Sequence, residues 1–221
     1  MKTGIIIQQC FSSGEFVDMM RLTHARHTAY ARAWDMDIWT IYGDLMTHLK
    51  MYHWGGWGKI DLIRRALEQG YKYIAWIDAD AAIMDFNTDL RDALKGTDAL
   101  IGACLHDAPW FASLGVPVHH NTGCMYLRGG ERALAFVKAW ADTYEVAIKD
   151  RWLEQGQFNR MITEPEWAGI FAEIPAKWNS TANVNECPNP VVAGWHGVSP
   201  VAQRLEMMKA AMKDDWFKYK V

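Results

Sequence analysis

Long apolar runs, paired cysteines and an excess of one charge are all missing from this sequence. No stretch approaches the roughly 20 apolar residues that span a bilayer, and Met1-Lys2-Thr3 followed by Gly4 to Cys10 is too short an apolar run for a signal peptide. A soluble, cytoplasmic protein with no membrane insertion is therefore expected. Cys10, Cys104, Cys124 and Cys187 are widely spaced and form no Cys-x-x-Cys pair, which removes the usual sequence signs of zinc and dithiol redox chemistry. They read as reduced thiols. The formal charge of −3 provides no global field for attracting nucleic acid. Low-complexity segments, internal repeats and linkers are absent too, so the composition is that of an ordered globular chain.

At 221 residues, half of them apolar, the chain is long enough for one substantial core and slightly longer than a common single domain. One α/β domain with a C-terminal extension is expected. Gly4-Ile5-Ile6-Ile7-Gln8-Gln9-Cys10 is a β-branched run ended by Ser12-Ser13-Gly14, which predicts a buried first strand. From Phe16 to Trp34 apolar residues recur at helical spacing, and Asp37 to Tyr42 offers a second strand, giving a β-α-β opening. After Gly55-Gly56-Trp57-Gly58, residues Ile60, Ile63 and Leu67 line one helix face, and Gly70 stands where a helix C-cap belongs. Tyr71 to Ile77 is the clearest strand. Ala99 to Cys104 and Cys124 to Leu127 are shorter candidates, while Arg132 to Ile148 carries Ala133, Val137, Trp140, Tyr144 and Ile148 on a helical stripe. Beyond Pro165 the texture is irregular, with Pro175, Pro188, Pro190 and Pro200 separating short pieces before a charged helix from Val201 to Tyr219. The twelve Trp suit core filling and flat platforms for sugars or bases equally well.

Chemistry concentrates in Tyr73-Ile74-Ala75-Trp76-Ile77-Asp78-Ala79-Asp80, which sets two carboxylates at the C-terminal end of a buried strand, where open α/β sheets bind ligands. Two carboxylate oxygens from one tight turn suit a hard divalent cation such as Mn²⁺ or Mg²⁺. Acidic residues after a strand also serve as solvated turns or helix N-caps, and the tripeptide alone leaves both readings open. The surrounding residues narrow the choice. Trp57-Gly58-Lys59-Ile60, the Tyr71 to Ile77 strand, Asp78-Ala79-Asp80-Ala81, His120-Asn121-Thr122-Gly123-Cys124-Met125-Tyr126-Leu127-Arg128, Glu154-Gln155 and Trp195-His196 follow one another in that order. The ordered set, spanning roughly Gly4 to Arg204, resembles the galactosyl- and mannosyltransferase family that includes fungal mannan-synthesising enzymes and plant xyloglucan xylosyltransferases.

The resemblance implies an α/β fold of the GT-A type, with a Rossmann-like, mostly parallel sheet flanked by helices. It implies one domain over residues 1–221, with a nucleotide-sugar-binding half at 1–105 and an irregular acceptor half with a closing helix at 106–221. The implied activity is metal-dependent hexose transfer from a UDP-sugar with retention of configuration. Asp78, Asp80 and His196 match the metal ligands, and Asn121 and Gly123 match a turn that contacts donor-sugar hydroxyls. Gln155 matches a Gln near the anomeric carbon, with Glu154 as its rival, and Lys59 and Gln8 are grouped as donor-binding positions. Plainer readings stand beside these: a structural His, an Asx turn, an exposed Glu-Gln pair and a solvated Lys. Gly197-Val198-Ser199 departs from the aromatic-small-Gly run that usually follows the family's His.

Members of that family usually carry a membrane anchor, so the acceptor expected here is a soluble glycan or precursor, or a hydroxymethylated base in DNA. For DNA, local phosphate-binding faces are offered by Arg21, His24, Arg26, His27 and Arg32, by Arg128 and Arg132, and by Lys209, Lys213, Lys218 and Lys220. The same residues also read as solvated helix faces. Two other functions use the same features. A haloacid-dehalogenase-type Mg-dependent phosphatase also sets Asp-x-Asp after a strand, though usually the first one and followed by Thr or Val rather than Ala81; a non-catalytic carbohydrate-binding protein would use the Trp residues.

Overall fold

The computed structural model describes residues 3–10, 14–43, 55–108, 113, 115, 118–147, 149 and 152–212. The expectations that fall on Ser12, Ser13, Ile148, Lys213, Lys218, Tyr219 and Lys220 lie outside the described residues.

Strand β1 (Gly4–Cys10) is followed by helix α1 (Glu15–Ala33) and β2 (Asp37–Tyr42), the expected β-α-β opening, with β1 parallel to β2. Helix α2 (Gly58–Glu68) leads to β3 (Tyr73–Ile77), which pairs with the other side of β1, also in parallel. The turn between them ends α2 as its glycine predicts. Gly70 adopts φ 84°, its N–H donates to Leu67 O at 3.0 Å, and Tyr71 N donates to Ala66 O at 3.2 Å, a Schellman arrangement.

Strands β5 (Ile101–His106), β6 (His119–Arg128) and β7 (Phe171–Ile174) complete a six-stranded sheet in the order β2-β1-β3-β6-β5-β7. The sheet is mixed, because β6 runs antiparallel to both β3 and β5 while the other pairs are parallel. The boundary at residues 105 and 106 falls inside β5, so one sheet carries strands from both halves of the chain. Strand β6 is longer than its apolar stretch suggests. Its polar start pairs His119 and His120 with His106 and Leu105 beyond an irregularity in the register; His119 stacks on His106 and Trp152, while His120 packs on Phe171.

Side-chain alternation divides the core into two layers. Ile5, Ile7, Ile74, Trp76, Met125 and Leu127 pack on one face with α2, with α3 (Glu131–Asp142) and with Phe158 of α5 (Leu153–Met161). Ile6, Ala75, Ile77, Cys124 and Tyr126 point the other way, against Tyr30 and Ala31 of α1 and against Trp178. The stripe of Ala133, Val137, Trp140 and Tyr144 is buried as expected. Its helix breaks at Thr143, whose hydroxyl donates to Trp140 O at 2.8 Å, and resumes as the short α4 (Tyr144–Ala147).

A small second sheet decides where the site forms. Strand β4 (Ala81–Ile83) pairs antiparallel with β9 (Val192–Gly194), which pairs in parallel with β8 (Ser180–Thr181). Helix α6 (Val201–Met212) closes the described chain, with Leu205, Met208 and Met212 packed against Met19 of α1.

The basic face expected along α1 forms only in part. Arg26 and His27 are buried: Arg26 donates to Ile83 O and to Met84 O, and the His27 ring lies between Gln8 and the N–H of Ile83. Burying the apolar stripe of α1 turns this part of the helix inward. Arg128 is likewise spent on the carbonyls of Leu94, Thr97 and Ala99, and Arg132 on that of Ala168. Arg21, His24, Arg32 and Lys209 are exposed. Among the described residues no helix is long and apolar enough to cross a membrane.

Candidate active site

Asp78 ends β3. Its N–H donates to Gly123 O at 2.8 Å, which extends the pairing with β6, and its carboxylate accepts the Trp76 indole N–H at 2.6 Å. A turn closed by Ala81 N to Asp78 O then delivers Asp80 at the start of β4. Because Ala81 lies opposite Gly194, the residue before β4 and the residues after β9 meet: Trp195 N donates to Asp80 O at 2.9 Å. This register brings His196 Nδ1 to 2.9 Å from Asp80 Oδ1 across 116 positions of sequence. Ligand atoms of Asp78, Asp80 and His196 all lie within 4.8 Å of one another.

Two glycines make room for the imidazole. A Cβ on Gly123 would stand 2.5 Å from His196 Cε1, and one on Gly194 would stand 2.6 Å from His196 Nε2, both far inside ordinary contact. Gly123 was expected to let backbone approach a sugar; its side of the strand is filled by His196. Asn121, buried on the same strand, ties it to Asn179: its Oδ1 accepts Gly123 N–H at 2.8 Å and the Asn179 amide at 2.9 Å. Asn179 Oδ1 in turn faces His196 Nε2 at 3.2 Å. Asn179 is a residue that sequence reasoning missed, since it sits in an irregular segment with no periodic signal.

Arg204 was missed as well. From α6 it donates to Asp80 Oδ2 at 2.8 Å and to Val198 O at 2.6 Å. Burial alone would raise the Asp80 carboxyl, but His196 and Arg204 outweigh it and hold the group down at about 2. For His196 burial works against the charged ring, and the Asp80 carboxylate reverses this, leaving its pKa raised. Two carboxylates and an imidazole converging on one point are a donor set that fits a hard divalent cation of the Mn²⁺ or Mg²⁺ kind.

Lys59, expected as either a phosphate ligand or a solvated residue, is buried. Its Nζ donates to Thr122 O at 2.9 Å and lies 3.5 Å from Asp78 Oδ1 and 3.6 Å from Glu154 Oε1. Desolvation disfavours this ammonium, and the two carboxylates more than compensate, so its pKa is raised. Lys59, Asp78, Asp80, Glu154 and Arg204 line one cleft of about 190 Å³. Gln9 lines it too, whereas Gln8 does not. Gln8 shares the alternation of Ile6 and points into the α1 layer, where it donates to Thr40 Oγ1 at 2.8 Å and accepts from His27 Nδ1 at 2.5 Å. Gln8 and Gln9 thus lie on opposite faces of β1, and Gln9 is the one that lines the cleft.

Gln155 sits one position beyond Glu154 in the first turn of α5. The chain enters that turn through Leu153 in the left-handed region at φ 48°, a costly conformation for a branched residue and one that collects at functional sites. Gln155 Oε1 accepts Thr122 N–H at 3.0 Å, which fixes the amide orientation and leaves its NH₂ as a donor. Glu154 is the carboxylate that faces Lys59, and its carbonyl is held by the Trp140 indole at 2.9 Å.

No family model matches this chain, and no curated protein matches it. Solved structures do. A glycosyltransferase involved in the glycosylation of the major capsid of PBCV-1 aligns with TM-score 0.71 and 18% identity, over 94% of this chain and 98% of that one. The glycosyltransferase GlyE of Streptococcus pneumoniae TIGR4 gives 0.56 and 10%, with 98% of this chain covering 62% of that one. Mouse xyloside xylosyltransferase 1 gives 0.51 and 11%, over 87% and 97% of the two chains. The chain thus has the α/β fold of these glycosyltransferases, a central sheet flanked by helices.

Proposed function

We propose that this protein is a metal-dependent glycosyltransferase that moves a hexose from a UDP-sugar to an acceptor hydroxyl with retention of configuration. The observation that carries the reading is the convergence of Asp78, Asp80 and His196 at the end of β3, beside a cleft lined by Asp78, Asp80, Lys59 and Arg204. Three acceptor-type ligands beside two fixed cations match a diphosphate bridged to a metal, and the fold shared with three glycosyltransferases supports the same class. Mn²⁺ or Mg²⁺ held by Asp78, Asp80 and His196 would offset the charge that builds on the departing diphosphate. Arg204 and Lys59 add positive charge beside it, supplying the phosphate contacts that the Gly197-Val198-Ser199 loop does not resemble. Glu154 keeps Lys59 charged and in place. Gln155 orients a sugar hydroxyl through its NH₂ group, and the departing phosphate takes the acceptor's proton.

The test is UDP release over a panel of UDP-sugars, with Mn²⁺, with Mg²⁺ and with EDTA, for the parent chain and for Asp78→Asn. Release with at least one donor, abolished by EDTA and by the substitution, is the expected outcome. Undiminished release in EDTA would sink the metal assignment.

A further inference from the structure

We propose that a second cleft, beside the first turns of α5, is the acceptor site and takes a pyranose ring; the proposal rests on the transferase reading above. This cleft, of about 300 Å³, is lined by Val118, His119, Trp152, Gln155, Asn159 and Arg160, and its size is that of small-molecule sites. Its placement is the first argument. Glu154 lines the donor cleft and its neighbour Gln155 lines this one, so a single helical turn separates the two. A row of rings also joins them: His119 lies 5.8 Å from His106, and His106 lies 6.4 Å from His196. The His119 ring, which lines this cleft, therefore lies no farther from the His196 ring than these two steps of 5.8 and 6.4 Å allow.

The chemistry of the lining is the second argument. Among the described residues six tryptophans are buried, whereas Trp152 is half-buried, stacked at 4.9 Å on His119 and open to the cleft. With the 53% exposed Val118 it offers an apolar wall of the kind that receives the C–H face of a sugar. Opposite that wall the orientation of the Gln155 amide leaves donors for hydroxyl oxygens, and Arg160 adds an exposed rim donor. Asn159 does not compete for the ligand, because it is spent on the backbone of His120 and Gln155. A duplex DNA acceptor would need a row of cations tracking phosphates, and Arg160 alone among the described lining residues carries a fixed positive charge. A saccharide needs none.

The test uses the whole chain labelled with ¹⁵N and loaded with Mn²⁺ and UDP. The Trp152 indole signal is identified by its loss in Trp152→Phe. Methyl α- and β-pyranosides of glucose, galactose, mannose and xylose are titrated in, as is a short duplex containing 5-hydroxymethylcytosine. At least one glycoside is expected to shift the Trp152 signal saturably, and the DNA is not. Gly156→Leu, a larger side chain at a residue that lines the cleft, is expected to weaken that glycoside about tenfold or more while UDP affinity stays within about twofold. Trp152→Phe is expected to retain most of the affinity and Trp152→Ala to lose it. A saturable shift by DNA alone, or no shift by any glycoside in a protein that still hydrolyses a UDP-sugar, would overturn the proposal and leave the transferase reading standing. Failure of both UDP binding and donor hydrolysis would remove the two together.

Discussion

Gly123→Ala isolates the reason for a glycine beside the site. The added methyl group would stand 2.5 Å from His196 Cε1 and 2.7 Å from Nε2, where ordinary contact begins at 3.4 Å, so the ring has to retreat by about 0.9 Å. It has little room for this, because Gly194 closes the opposite side with a prospective contact of 2.6 Å, and Asp80 and Asn179 hold its two nitrogens. Overpacking of such a position costs about 1–3 kcal/mol of stability. Metal ligation tolerates only about 0.2 Å of error in a ligand distance, so the displaced imidazole should be lost as a ligand, weakening Mn²⁺ by about tenfold or more. Urea denaturation reads the first effect and calorimetric titration of Mn²⁺ the second. In a His196→Ala background the same glycine substitution should cost less stability, since the two shortest contacts, both with the imidazole, are gone. Equal costs in the two backgrounds, or an Mn²⁺ affinity unchanged by Gly123→Ala alone, would refute this account of the glycine.

Lys59→Met should destabilise the protein by about 3 kcal/mol, because it leaves two carboxylates and the Thr122 carbonyl facing one another; the lower end of the range applies since Asp78 remains 32% exposed. Adding Glu154→Gln should recover part of that loss, and no recovery would show that the pair is not coupled. Gln155→Ala should cost about 1 kcal/mol through the unpartnered Thr122 N–H, and should lower transfer far more than UDP affinity. An equal fall in UDP affinity would place Gln155 at the nucleotide instead. His27 supplies a pH dependence: desolvation first, then the charges of Arg26 and His24, lower its pKa from 6.5 to about 3. The unfolded chain therefore binds this proton where the folded chain does not, so stability is full above about pH 6.5 and falls on acidification towards pH 3, by about 1.4 kcal/mol per pH unit. His27→Gln should flatten that slope in denaturation curves taken between pH 7 and 5, and an unchanged slope would assign it to other groups.

What the sequence determined by itself was local. The first two strands, α1 and the Gly70 cap lie where periodicity and turn chemistry put them, because these depend on neighbours within a few residues. The end of β3 was legible for the same reason: an apolar run followed by two carboxylates marks the rim of a buried sheet. Other features needed the tertiary structure. The direction of Gln8 against Gln9 depends on which face of β1 receives α1, and a β-branched run that is buried on both sides carries no mark of it. The inward turn of Arg26 and His27 follows from the same docking. His196 reaches Asp80 only through the register of β4 on β9, and Arg204 only because the apolar residues of α6 seat that helix against α1. Pairings of this kind join residues more than a hundred positions apart, and their energy lies in packing and strand register that no window along the chain contains.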